Sequence, residues 1–168
     1  EDEIEHEMLA QIVKLQQAGI RVTHLDTHKH AHLFPNVTRP LLRAAERTGI
    51  CAVRNPFEQS WSLNLGHNAR LRRLQVKLLG RLHTKFDHQP QIENASIRTT
   101  NATIGISATG NLDASTLREI LQALPSDSTA TFELCCHPGY NDSDLDLVTT
   151  RLRAHRNIER NALLAEIP

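Results

Sequence analysis

Ile4, Met8, Leu9, Ile12, Val13 and Leu15 recur at three- and four-residue spacing, the pattern of an amphipathic helix over residues 3 to 18. Acidic residues crowd its first turn, where the positive end of the helix dipole stabilises them, and Gly19 suits a C-terminal cap. The stretch IRVTHLDTH follows, β-branched at Ile20, Val22 and Thr23, and predicts a strand. Asn36 and Pro40 mark the start of a second helix, carried by Val37, Leu41, Leu42 and Ala45 and stopped at Gly49. ICAVRNPF is a short, nearly continuous apolar run of the kind a buried parallel strand shows. A long helix is predicted over 66 to 86 through Leu71, Leu74, Leu78 and Leu82, and SIRTTNATIGIS reads as a strand or strand-like connection. Asp113 or Ser115 caps a helix running to Leu124, STATFELCC is another strand, and a last helix is expected from about Leu145.

Helix and strand thus alternate from end to end, which predicts an α/β fold with parallel strands. In such folds the loops after the strands' carboxyl ends carry the chemistry. Two histidine-bearing stretches, DTHKHAH and CCHPG, fall at predicted strand ends.

Composition narrows what that chemistry can be. The 168 residues suit one domain, and Lys plus Arg equals Asp plus Glu at 19 each, so no global field recruits nucleic acid or an anionic membrane. One Trp, one Tyr and four Phe are too few for a base-stacking platform. Cys51, Cys135 and Cys136 are odd in number and read as small core residues of a reducing compartment rather than a disulfide framework. No apolar run approaches the roughly 20 residues of a membrane span, and no signal peptide opens the chain, so a cytoplasmic location is expected. The chain begins without methionine and already inside a helical pattern, which suggests a piece of something longer.

If the first strand persists through THLDTHKHAH, Asp26, His28, His30 and His32 share one face. Neighbours at i and i+2 stand about 6.6 Å apart, so two of them can converge on one ion but the outer members cannot. One or two ligands from this stretch, completed from elsewhere, would suit Zn²⁺ or another transition metal, and Mg²⁺ where oxygen ligands and waters dominate. The competing reading is a polar strand end whose imidazoles are satisfied by hydrogen bonds. In FELCCHPGY, Pro138 and Gly139 force a turn that leaves His137 at a strand tip, a natural place for a general acid or base. Glu133 is expected to be buried and paired, with Arg54 the suggested partner. Arg70, Arg72, Arg73, Lys77, Arg81 and Lys85 read as a solvated outer face beside a leucine stripe, and Asp142, Asp144 and Asp146 as a polar loop and helix start. No phosphate-binding glycine loop and no serine elbow is present.

In this order, THLDTHKHAHLFP, AVRNPFE, IRTTNATIGISATGNLD and FELCCHPGY resemble the YdjC-like carbohydrate deacetylases, and the stretch with Arg98, Thr99, Thr100 and ATGNLD is most similar to the branch associated with hopanoid biosynthesis. The resemblance implies a distorted (β/α) barrel that uses a divalent metal, Mg or Zn, to hydrolyse N-acetyl groups from an amino sugar or glycolipid. It places His28 as a metal ligand and His137 as the acid that protonates the leaving amine. Asp26, His30, His32 and Arg54 become residues that orient ligands or touch sugar. Balanced charge and the lack of a long apolar run predict no nucleic-acid partner and no integral membrane segment, and a homodimer is compatible with the sequence. Two motifs of the family, A-D-D-F-G with the catalytic aspartate and G-x-H-[LF] with a second metal histidine, do not occur in this sequence. A barrel of this kind runs to about 250 residues, so residues 1 to 168 are expected to form one partial barrel lacking its N-terminal portion. Weak metal affinity and little turnover follow for the isolated chain. The alternatives are a non-catalytic metal- or sugar-binding module on the same fold and, against the balance of charge, a nucleic-acid or membrane-surface binder using the basic helix.

Overall fold

The first apolar periodicity folds as expected. In a computed structural model, described for residues 1–65, 70–126, 129–150 and 152–167, helix α1 covers Asp2–Gln17 and α2 covers Pro35–Arg47. Helix α2 begins at Pro35, where a missing N–H is harmless, and carries Pro40 inside it rather than at its start. The chain contacts divide into two units, Glu1–Phe57 with Leu79–Asn101 and Glu58–Leu78 with Ala102–Pro168.

In the first unit, Ile12 of α1 and Leu41, Leu42, Ala44 and Ala45 of α2 meet Leu25, Ile50, Val53 and Ile97 in one apolar cluster. Charges frame the helix pair. Glu5 accepts from Arg43 at 2.6 Å and Arg47 at 2.9 Å, two arginines one helical turn apart, and Arg39 holds Glu1. The Arg43 and Arg47 hydrogen bonds keep the Glu5 carboxyl below the usual carboxylate range. Three extended segments pair side by side through parallel bridges, Leu25 with Val53 and Ala52 with Arg98. The strands expected over 20–28 and 50–57 are therefore single-bridge pairings here. In the second, Ile50 and Val53 are buried, while Cys51 is exposed rather than in the core.

In the second unit, β1 (Ala102–Ile104) and β2 (Phe132–Leu134) form a parallel two-stranded sheet, Ala102 opposite Phe132 and Ile104 opposite Leu134. Glu58 bridges onto Thr103 beside them. Among the described residues the pairings form an open sheet and not a closed barrel. The helix predicted over 66–86 falls into α3 (Arg70–Leu79), a 3₁₀ turn at Gly80–Leu82 and α4 (His83–Asp87), with 66–69 outside the described residues. Its leucine stripe is not core: Leu71 is 67% exposed, and Leu74 and Leu78 are exposed too. Those three leucines span only about 60° of the helix surface at roughly 100° per residue, narrower than the apolar face a core-packed helix presents. A short α5 (Pro90–Glu93) belongs to the first unit. Helix α6 (Ala114–Gln122) is capped by Asp113, which accepts from the Thr116 N–H at 2.8 Å, and α7 (Arg153–Glu166) closes the chain. Leu112, Leu117, Ile120 and Ala162 pack with Ile104 and Ala108 as the second core. Before α7, Ser143–Leu147 make a 3₁₀ turn instead of the expected helix start, and Asp146 pairs with Arg153 at 2.5 Å. No helix among the described residues is long and apolar enough to cross a membrane.

Candidate functional site

The extended run of the first unit ends at Thr27. Thr27 is still extended, at φ −122° and ψ 148°, but His28–Leu33 coil into 3₁₀ turns, with Lys29 (φ 54°, ψ 30°) and His30 (φ 55°, ψ 36°) left-handed. The even-numbered histidines therefore do not line one strand face. Hydroxyls cause the turn. The Thr27 Oγ1 accepts the His32 N–H at 3.1 Å and lies 2.6 Å from the His32 Nδ1, while the Thr38 hydroxyl donates to the His32 carbonyl at 2.7 Å. Such local side-chain bonds offer the backbone an alternative to the ladder. Left-handed residues other than glycine cost about 1–2 kcal/mol each, and conformations of this kind cluster at ligand sites.

His32 is wholly buried, its side chain 0% exposed. Its Nε2 faces the Arg54 carbonyl at 3.0 Å, an acceptor only, so Nε2 carries the proton and Nδ1 accepts from the Thr27 hydroxyl. Burial pushes its pKa down to about 4, so the ring is neutral at physiological pH. With both nitrogens engaged, His32 is built as a strut, not as a ligand. Phe86 lies against it at a ring separation of 6.3 Å, and Phe57 packs edge-on to Phe86. Asp26 is tied from two sides, by the Arg54 Nη1 at 2.6 Å and by the Thr27 N–H at 2.7 Å. Asp26, His32 and Arg54 thus form one network. His30 is half-buried, and His28 is exposed at the rim of a groove of about 620 Å³ lined by Ile4, Met8, Ile12, Leu25 and Leu41. Among the described residues no three His, Cys, Asp or Glu side chains come together as a metal-holding group. The donor set described here does not fit a divalent ion by itself.

The second unit presents the other histidine. The Cys135 N–H still donates to the Ile104 carbonyl at 2.8 Å, and the chain then leaves the sheet at His137. Helix α7 takes hold of that loop. The Gly139 N–H donates to the Arg156 carbonyl at 3.2 Å, and the His137 N–H donates to the Glu159 carboxylate. Glu159 is 1% exposed and also accepts the Gly110 N–H at 3.3 Å, so one buried carboxylate joins the loops that follow β1 and β2. Its Oε2 stands 3.8 Å from the His137 Nδ1, while the His137 side chain is 38% exposed.

A second carboxylate anchors the loop after β1. Glu58 accepts from the Ser107 N–H at 2.7 Å and from the Gly105 N–H, the Ser107 hydroxyl and the Ser62 hydroxyl at 3.0 Å each. Burial pushes its pKa up, and the Ser107 hydrogen bonds pull against that. Gly105 sits at φ +87°, where an added Cβ would stand 3.0 Å from the Cys135 carbonyl oxygen, so this tight passage needs glycine. Sequence reasoning passed over Glu58 and Glu159. The signal for Glu159 was present: it lies three and four positions before Ala162 and Leu163, on the apolar face of its helix, where a charge has to find partners.

Comparison with known proteins adds the following. A family model described as YdjC-like protein matches residues 1–166. A carbohydrate deacetylase of Brevibacillus brevis is 38% identical over 56 residues, 33% of this chain and 22% of that protein. A carbohydrate deacetylase of Mus musculus is 26% identical over 147 residues, 82% of this chain and 46% of that protein. The chain spans less than half the length of these curated relatives. No solved structure matches it.

Proposed function

The chain belongs to the YdjC-like protein family, and from that membership we propose that it is part of a hydrolase that removes N-acetyl groups from an amino sugar. The observation that carries the proposal is the family match over residues 1–166, which includes both histidine-bearing loops. The two relatives named carbohydrate deacetylases support the substrate class. The likeness of ATGNLD to the hopanoid-associated branch makes a lipid-carried amino sugar the first glycolipid to test. On this reading the open parallel sheet is a portion of a distorted (β/α) barrel.

Cleaving an acetamide requires attack on the carbonyl carbon, stabilisation of the oxyanion, and a proton for the departing amine. His137, with part of its ring open to solvent at the end of β2, is proposed as the donor of that proton. Asp26, Arg54 and His32 are proposed to hold the turn that presents His28, with His30 beside it. His28 would be this chain's contribution toward holding a Mg or Zn ion completed from elsewhere, and the chemistry such an ion would supply is polarisation of the acetamide carbonyl. One imidazole does not hold such an ion against water, so weak affinity is expected of the chain alone.

The test is acetate release from N,N′-diacetylchitobiose by the full-length protein and its His28→Ala and His137→Ala variants. His137→Ala is expected to lower kcat by at least about a hundredfold, the usual contribution of a positioned acid or base, and His28→Ala to lower it through weakened metal binding. Undiminished release from both variants would overturn the assignment. The second reading is a sugar- or metal-binding module without turnover. Saturable sugar binding with no acetate released would establish it.

A further inference from the structure

We infer that Glu159 is a positioning residue for His137, fixing which ring nitrogen carries the proton and which one meets the substrate. This rests on His137 being the proton donor proposed above. Three observations point the same way. The His137 Nδ1 is buried with no hydrogen-bond partner among the described residues, although the ring as a whole is 38% exposed, so the open part of the ring lies on the side away from Nδ1. The Glu159 Oε2 lies 3.8 Å from that nitrogen and also accepts the His137 main-chain N–H, so ring and backbone of one residue face a single carboxylate. Glu159 is 1% exposed, so little water screens it.

The chemistry follows from these placements. A bare Nδ1 would aim its lone pair at a buried carboxylate, whereas an Nδ1–H aims a positive edge at it. The carboxylate therefore selects the Nδ1–H tautomer and leaves Nε2 as the exchangeable site on the exposed side of the ring. A buried carboxylate playing this part for an imidazole keeps it in one tautomer and one orientation and stabilises the imidazolium when it forms. Hydrogen bonds of this type are often long before substrate arrives. Helix α7 makes the arrangement rigid, because its Arg156 carbonyl takes the Gly139 N–H and its Glu159 carboxylate takes the His137 N–H. The loop carrying His137 cannot turn without breaking both.

The experiment reads the ring directly. In the full-length protein labelled with ¹⁵N-histidine, the His137 resonances are assigned by their loss in His137→Gln, and the neutral tautomer is read from the ring nitrogen shifts. The wild type is expected to show predominantly Nδ1–H. Glu159→Gln keeps the shape but removes the charge, and it is expected to move the population toward Nε2–H. Glu159→Asp, which keeps the charge, is expected to restore most of the Nδ1–H signal. With N,N′-diacetylchitobiose, Glu159→Gln is expected to lower kcat about tenfold or more with KM little changed. A wild-type ring that is predominantly Nε2–H overturns the inference, and that measurement stands even if Glu159→Gln fails to fold. A folded Glu159→Gln variant with an unchanged tautomer overturns it too. If the tautomer behaves as expected while His137→Gln retains full activity, the proton-donor reading of His137 falls and the pairing with Glu159 stands.

Discussion

His32 belongs to the motif that drew attention to this chain, and its surroundings give it a role unlike that of a ligand. It is buried, neutral and bonded through both ring nitrogens to Thr27 and Arg54. Its pKa is about 4 in the folded chain against the ordinary 6.5. As pH falls through 6.5 the unfolded chain takes up a proton that the folded chain refuses, so stability falls until pH 4, where both forms are protonated. The loss amounts to about 3 kcal/mol for a shift of this size. Glu58, whose pKa is raised, works in the opposite sense, gaining stability as the folded carboxyl takes its proton first. Urea unfolding at steps between pH 7 and 4 is expected to show a steeper decline for wild type than for His32→Gln, and equal slopes would remove the buried neutral histidine. The spacing of two between the histidines was legible in the sequence, but it fits a strand and a coiled turn alike. What decides for the turn is the pair of hydroxyls at Thr27 and Thr38, whose bonds to His32 no periodicity reveals.

Among the elements, the helices were the more legible because a 3.6-residue period repeats several times within each. Helices α1 and α2 match their predicted spans within a residue or two, and Asp113 caps α6 as its position suggests. The strands were read too long. A run of β-branched residues announces extended backbone, but the length over which it pairs depends on neighbours distant in sequence. Pairing here reduces to three residues in β1 and in β2, with single bridges elsewhere. The exit from β1 shows how sharply such pairing can be bounded. Gly105 passes close beneath the Cys135 carbonyl in a left-handed conformation. Gly105→Ala is expected to destabilise the chain by about 2 kcal/mol or more, since it adds left-handed strain to a contact with main-chain atoms that have nowhere to move. Thermal unfolding checks this. A melting temperature within a degree of wild type would show that the loop relaxes freely.

For the molecule as a whole, each of the two units has its own apolar cluster, and the family match runs through both. The two histidine-bearing loops stood out from position alone, because histidines at predicted strand ends are uncommon. The partners that orient them were not, since Glu159 lies 22 residues from His137 and Arg54 lies 28 from Asp26. Equilibrium dialysis of this chain against Zn²⁺ is expected to give weak binding that His28→Ala diminishes further. Tight stoichiometric binding would reveal a donor cluster that the described residues do not display.

The left-handed step at Lys29 and His30 bears on how this protein could be re-engineered. Glycine at position 29 would relieve the backbone at no steric cost, trading a side chain beside His28 for a calmer main chain. A hardier variant is therefore one substitution away, and the fixed sharpness of the turn is the quality such a variant would surrender.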